Sequence, residues 1–164
     1  MKTYLKQTVL LAFLAITIIA SVAFTPKTST YKCMIQMINY SGEGAYVVIS
    51  LINPKGNYEK TLYVQGNDDE WYRDIKEWWG FYGKKRSNID AITGATVGGG
   101  GRSINVIEIE DAKIDAGYSL RFETAVEDKQ YYVKDVEVPL TSENVKTKHD
   151  GKGYIRYVRI MPNK

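Results

Sequence analysis

The sequence predicts an all-β protein, an antiparallel sandwich of about seven strands with one short helix. Three observations carry that prediction. Short runs rich in β-branched and aromatic residues recur along the chain, each bounded by Gly, Pro, Asn, Asp or Ser. Thirteen tyrosines against four phenylalanines, with three tryptophans, suit pleated surfaces on which one end of each ring meets water. Past the apolar start of the chain, the segment 67–79 repeats its apolar residues at helical spacing, and that gives the one helix.

The elements follow in order. Residues 1–23 combine a short basic start, an apolar run over 8–22, and small residues at Ser21 and Ala23. That is the pattern of a secretory signal cleaved after Ala23, and the alternative is an uncleaved membrane anchor. Residues 24–30 read as a polar, Pro-containing tether, and 31–164 as the domain. Runs 31–40 and 45–53 are separated by Ser41, Gly42, Glu43 and Gly44, so the two strands are expected to pair as an antiparallel hairpin. A turn at Asn53, Pro54, Lys55 and Gly56 precedes a third strand over 59–65. Asn67 or Asp68 then caps the helix, whose first turn carries Asp69 and Glu70 at the positive end of its dipole. Its stripe of Trp71, Ile75, Trp78 and Trp79 is expected to plug one end of the sandwich core, and Gly80 and Gly83 end it. Strands over 102–110, 117–126, 130–138 and 154–161 complete the set, with an irregular stretch at 139–152.

Composition narrows the function classes. A chain of 164 residues with 44% hydrophobic content suits one domain with an ordinary core. Formal charge is +3, and loss of Lys2 and Lys6 with the signal leaves 20 basic against 19 acidic residues. A near-neutral mature chain implies no nucleic-acid partner. One cysteine forms no internal disulfide, and Cys33, followed by Met34 and Ile35, reads as a small buried strand residue. One His and one Cys far apart make zinc or haem ligation within the chain improbable, and His149 reads as an exposed loop residue. No set of nucleophile, acid and base comes together, so a substrate-converting enzyme ranks last.

The stretch that organises the chain is 90–101, DAITGATVGGGG. It places the Thr96 hydroxyl beside small residues and four consecutive glycines, a loop that another molecule can approach closely. No His, Lys or Cys neighbours Thr96 in sequence to activate it as a nucleophile, which points to a modified residue rather than an attacking one. From the residues alone a second reading stands beside that one. Asp90, Thr93 and Thr96 can simply satisfy the backbone of a glycine-rich connection between strands. The absence of a Gly-Lys-Ser/Thr ending and of a helix pattern after the loop makes a nucleotide P-loop improbable.

Asp90, Thr93, Gly94, Ala95 and Thr96 match the pattern D-x-x-[ST]-[GS]-A-T. The motif resembles the one at which flavin transferases attach FMN through a phosphoester to the last Thr, as in the FMN-carrying subunits of the sodium-translocating quinone reductase and the Rnf complex. A wider resemblance, over 46–138, is to a family of predicted periplasmic domains without settled function. It rests on the TLYVQG strand end, the WYRDIKEWW helix, the DAITGAT loop and the YSLRFETAVED strand. Members of that family resemble immunoglobulin-like β domains and are often encoded near flavin transferases and PepSY-type membrane reductases. They commonly continue the loop with Arg-Pro and a Gly-Tyr pair, where this chain has Val97 and glycines 98–101.

The resemblance implies an exported, immunoglobulin-like electron carrier. FMN would be held covalently at Thr96, Asp90 and Thr93 would shape the turn that the transferase reads, and Gly94 and Ala95 would leave it room. A flavin transferase and a PepSY-type membrane reductase are the implied partners. Two neighbouring features then gain a reading: Trp79, Phe81 and Tyr82 as an aromatic wall for the flavin ring, and Lys84, Lys85 and Arg86 as a steering patch for phosphate. The competing class is a non-redox binding module of the cell envelope, presenting Tyr-rich faces to a partner.

Overall fold

A computed structural model of the chain describes residues 26–84 and 88–163. The expected signal, and with it the choice between cleaved signal and anchor, lies outside these residues, as do Lys85 and Arg86. Nine strands are present among them: β1 (Thr28–Met37), β2 (Tyr46–Ile52), β3 (Tyr58–Gln65), β4 (Thr93–Gly94), β5 (Arg102–Glu110), β6 (Ser119–Ala125), β7 (Tyr132–Pro139), β8 (Lys148–Asp150) and β9 (Ile155–Pro162). They form a sandwich of two sheets, ordered β5-β1-β9-β8 and β4-β3-β2-β6-β7. The seven expected strands are all there. The other two, β4 and β8, are two and three residues long and fall in stretches read as loops. β1 begins at Thr28, inside the expected tether.

The expected hairpin between the first two strands does not form. β1 pairs with β5 and β9, whereas β2 pairs with β3 and β6 in the other sheet. The Ser and Gly residues at 41–44 therefore make an arch between sheets. Burial explains the choice. β1 alternates, sending Cys33, Ile35 and Met37 into the core, and so suits a sheet with one wet face. β2 is buried along nearly its whole length, which requires a central strand covered on both faces.

The second covering layer is the helical segment. Asp68 caps it by accepting from the Glu70 amide at 3.1 Å. A 3-10 turn over Asp69–Asp74 follows, and then helix α1 (Lys76–Tyr82), which ends at Gly83. The segment does not plug an end of the core, as its stripe predicted. Tyr72, Ile75 and Trp78 pack on Val48, Val64 and Ala125, on the outer face of the five-stranded sheet. A register shift in β3 turns Thr61 to this face, where its hydroxyl accepts from Trp78 Nε1 at 2.9 Å. The main core, from Ile35, Ile49 and Phe122 to Val158, lies between the sheets.

Candidate functional site

The loop from Asp90 to β5 is tied down on both sides of Thr96. Before it, a 3-10 turn over Asp90–Ile92 leads into β4, which runs parallel to β3 with Thr93 beside Val64 and Gly94 beside Gln65. The side chain of Asp90 lies outside the described groups. The Gly66 amide donates to the Gly94 carbonyl at 2.5 Å. After Thr96, Val97 is buried and bridges Ala45, with Ala45 N–H donating to Val97 O at 2.7 Å and Val97 N–H to Ala45 O at 3.2 Å. Tyr40 closes the clamp, its hydroxyl donating to Val97 O at 2.7 Å and accepting from Ala45 N–H at 2.8 Å. Burial raises the Tyr40 pKa above the ordinary tyrosine value, so the hydroxyl stays protonated and able to donate.

Ala95 and Thr96 stand exposed between these two anchors. No hydrogen bond occupies the Thr96 hydroxyl among the described residues, whereas Thr93 is half-buried and has a partner. Thr96 leans against the arch at Gly44. A β-carbon there would fall on the Thr96 hydroxyl and lie 2.7 Å from its Cβ, so only glycine admits this approach. Three of the four loop glycines are held by the fold: a β-carbon on Gly99 would overlap the main chain of Tyr40, Gly100 has a φ of +72°, and a β-carbon on Gly101 would lie 2.8 Å from Gly98 O. Gly98 faces open space. Gly94 is likewise committed, because its missing side chain makes room for the Tyr63 hydroxyl.

Beside Thr96 lies a small cavity of about 140 Å³ with Tyr46 and Trp71 as aromatic walls and Glu43, Asp74 and Glu127 as carboxylates. The rings that share this cavity with Thr96 are therefore Tyr46 and Trp71. Trp79, Phe81 and Tyr82 belong to the packing under and around α1, where Phe81 stacks on Tyr58 and Tyr82 stacks on Trp78 at 4.7 Å. Phe81 instead joins Ala91, Ile92 and Val106 around a second cavity of about 550 Å³ between α1 and the edges of β3 and β5. Nothing in the spacing of Tyr46 and Trp71 marks them in the sequence, because the arch and the helical segment bring them together only in three dimensions.

A buried polar cluster lies beneath α1. Glu123 is fully buried and accepts from the Tyr58 hydroxyl at 2.7 Å and from the Tyr131 hydroxyl. Burial pushes its carboxyl up to about 6, with the two hydroxyls and Arg121 opposing the shift. Tyr131 also accepts from the Glu77 amide at 3.1 Å, which fastens the start of α1 to the sheet. Cys33 is fully buried in β1 and burial pushes its thiol up to about 12, so it is inert. His149 lies half-buried in β8 rather than exposed in a loop, with Nε2 2.9 Å from the Asn144 carbonyl and 3.1 Å from Thr147 Oγ1. Among the described residues no group of three or more His, Cys, Asp or Glu is placed to hold a metal ion.

An ester-linked group at Thr96 meets an accessible, unengaged hydroxyl and an open approach over Gly98, so the residues present fit attachment. The carboxylate rim opposes an anion entering the cavity itself. Lys84 is exposed at the end of the helical segment and is the described member of the basic run.

Residues 28–157 match the model of a family described as predicted periplasmic protein (DUF2271), and the chain belongs to that family. No curated protein and no solved structure matches it. No helix among the described residues is long and apolar enough to cross a membrane.

Proposed function

We propose that this periplasmic-family chain is an exported flavin-carrying electron-transfer domain, with FMN attached to Thr96 by a flavin transferase and a membrane redox partner such as a PepSY-type reductase. The single observation that carries the reading is the presentation of Thr96: an exposed hydroxyl with no hydrogen bond among the described residues, held between two anchored segments inside the sequence D-x-x-T-G-A-T. A group added by another enzyme needs such a hydroxyl. It must be reachable, and its backbone must hold still while the transferase closes on it.

When bound, FMN supplies one- and two-electron chemistry, and the protein supplies position and electrostatics. Asp90 and Thr93 set the turn that leads into Thr96, while Gly94 lets that turn lie against Tyr63. Val97, held by Tyr40 and Ala45, fixes the other side. Trp71 and Tyr46 offer ring faces within reach of the loop, and Gly98 leaves the approach open. The signal over 1–23 would deliver the chain to the compartment in which the family is described.

The carboxylates Glu43, Asp74 and Glu127 favour a second reading, a non-redox binding module of the envelope, because they repel an anionic ester beside Thr96. The two readings separate on colour. Protein co-expressed with a flavin transferase should be yellow and remain fluorescent on a denaturing gel. A colourless band supports the binding module.

A further inference from the structure

β5 is the end strand of the four-stranded sheet and has an edge without a strand partner. Among the described residues β5 pairs only with β1, so its other side is a nine-residue edge, bordered at Val106 and Glu108 by the second cavity, across which lie residues 88–92. Main-chain groups in an antiparallel ladder point alternately to either side. The Met37 amide donates to Gly101 O and the Asp111 amide donates to Lys27 O, so odd-numbered residues from 101 to 111 turn toward β1. Arg102, Ile104, Val106 and Glu108 therefore turn their N–H and C=O groups to the open side. Their side chains are exposed as well, and Ile104 and Val106, 60% and 47% accessible, are the exposed large apolar residues among those described. Protected edges carry prolines, bulges or lysines. β5 has none of these, and its register with β1 runs unbroken.

The order of these four side chains says what covers them. Under a two-fold axis through Asn105, antiparallel pairing sets Arg102 against the partner's Glu108 and Ile104 against the partner's Val106, and symmetry repeats both pairs. Each open hydrogen-bonding residue meets another, each apolar side chain meets an apolar one, and each charge meets its opposite. Met34, the β1 neighbour of Ile104, extends the apolar stripe across the joined sheet. We propose that the protein is a two-fold homodimer formed by antiparallel pairing of β5 about Asn105, which joins two four-stranded sheets into one. The proposal stands apart from the flavin reading.

The test is sedimentation equilibrium of the purified full chain and its edge variants, with melting temperature as the control for folding. The parent should have twice the monomer mass. Arg102→Glu or Glu108→Arg alone places like charges opposite at both ends and should weaken the dimer by about tenfold or more, the scale of two cross-strand pairs reversed in sign. Mixing these two single variants restores every charge pair, so the mixture should form a heterodimer, and the double variant in one chain should dimerise like the parent. Ile104→Lys should give a folded monomer. A monomeric parent, a dimer unmoved by Arg102→Glu, or single variants that fail to rescue one another would each overturn the proposal.

Discussion

The Tyr40 hydroxyl donates to the Val97 carbonyl at 2.7 Å, and this bond ties the arch between the sheets to the residue that follows Thr96. Tyr40→Phe keeps the ring and its edge contact with Tyr154 but removes the bond. The Ala45 amide retains Val97 O as acceptor, so the loss should be near the mean for one hydrogen bond, about 1 kcal/mol. Chemical denaturation measures that. Amide exchange at Val97 and Ala45 should quicken, while exchange in β6 should not change.

Gly44→Ala should displace Thr96 without unfolding the protein. Thr96 is exposed and can swing away, so the stability cost stays at the low end for overpacking, about 1 kcal/mol. Modification at Thr96 should nevertheless fall well below that of the parent. Full modification in this variant would show that the side-chain position set by Gly44 is irrelevant to it.

Gly98 and Gly99 should separate fold from access. Gly99→Val drives a side chain into the main chain of Tyr40 and should cost about 3 kcal/mol, the upper range for overpacking. Gly98→Val enters open space and should leave the melting temperature alone while hindering modification of Thr96. Thermal melts and labelling yields, read together, check both.

Much of this architecture was legible in the residues, and its limits have physical causes. The alternation in 102–110 gave β5 to the residue, since a strand with one buried face writes its pattern locally. Partner choice is not local. The Ser and Gly residues at 41–44 suit a hairpin or an arch equally, and what decides is that β2 is buried on both faces, a fact about its neighbours. Likewise Trp78 and Ile75 announced a buried helical face but not which surface it covers. At the site, the motif residues were visible as a string. The Tyr40 clamp, the vacancy at Gly44 and the walls Tyr46 and Trp71 come from segments distant in sequence, so no spacing could reveal them.

Glu123 makes stability depend on pH in a defined direction. Its folded pKa, about 6, lies above the ordinary glutamate value, so the folded state binds the proton more tightly than the unfolded chain. This contribution is fully present below about pH 4.5 and is lost as pH rises to about 6, a change of about 2 kcal/mol. Asp115 and Glu137, held below their ordinary values by Ser142 and Arg121, act in the opposite sense and only as pH falls toward and below 4. Glu123→Gln should therefore flatten the stability profile between pH 4.5 and 6 relative to the parent while leaving the acid limb in place. Urea titrations across that range provide the comparison.

The measurement closest to the central claim is intact-mass spectrometry with peptide mapping after co-expression with a flavin transferase. A gain of FMN less one water is expected, located on the peptide that contains Thr96. Thr96→Ser should keep the gain, Thr96→Ala and Thr96→Val should lose it, Thr93→Ser should retain it, and Asp90→Ala should reduce it. An unchanged mass in the parent protein, or an added mass on a peptide without Thr96, would contradict the account.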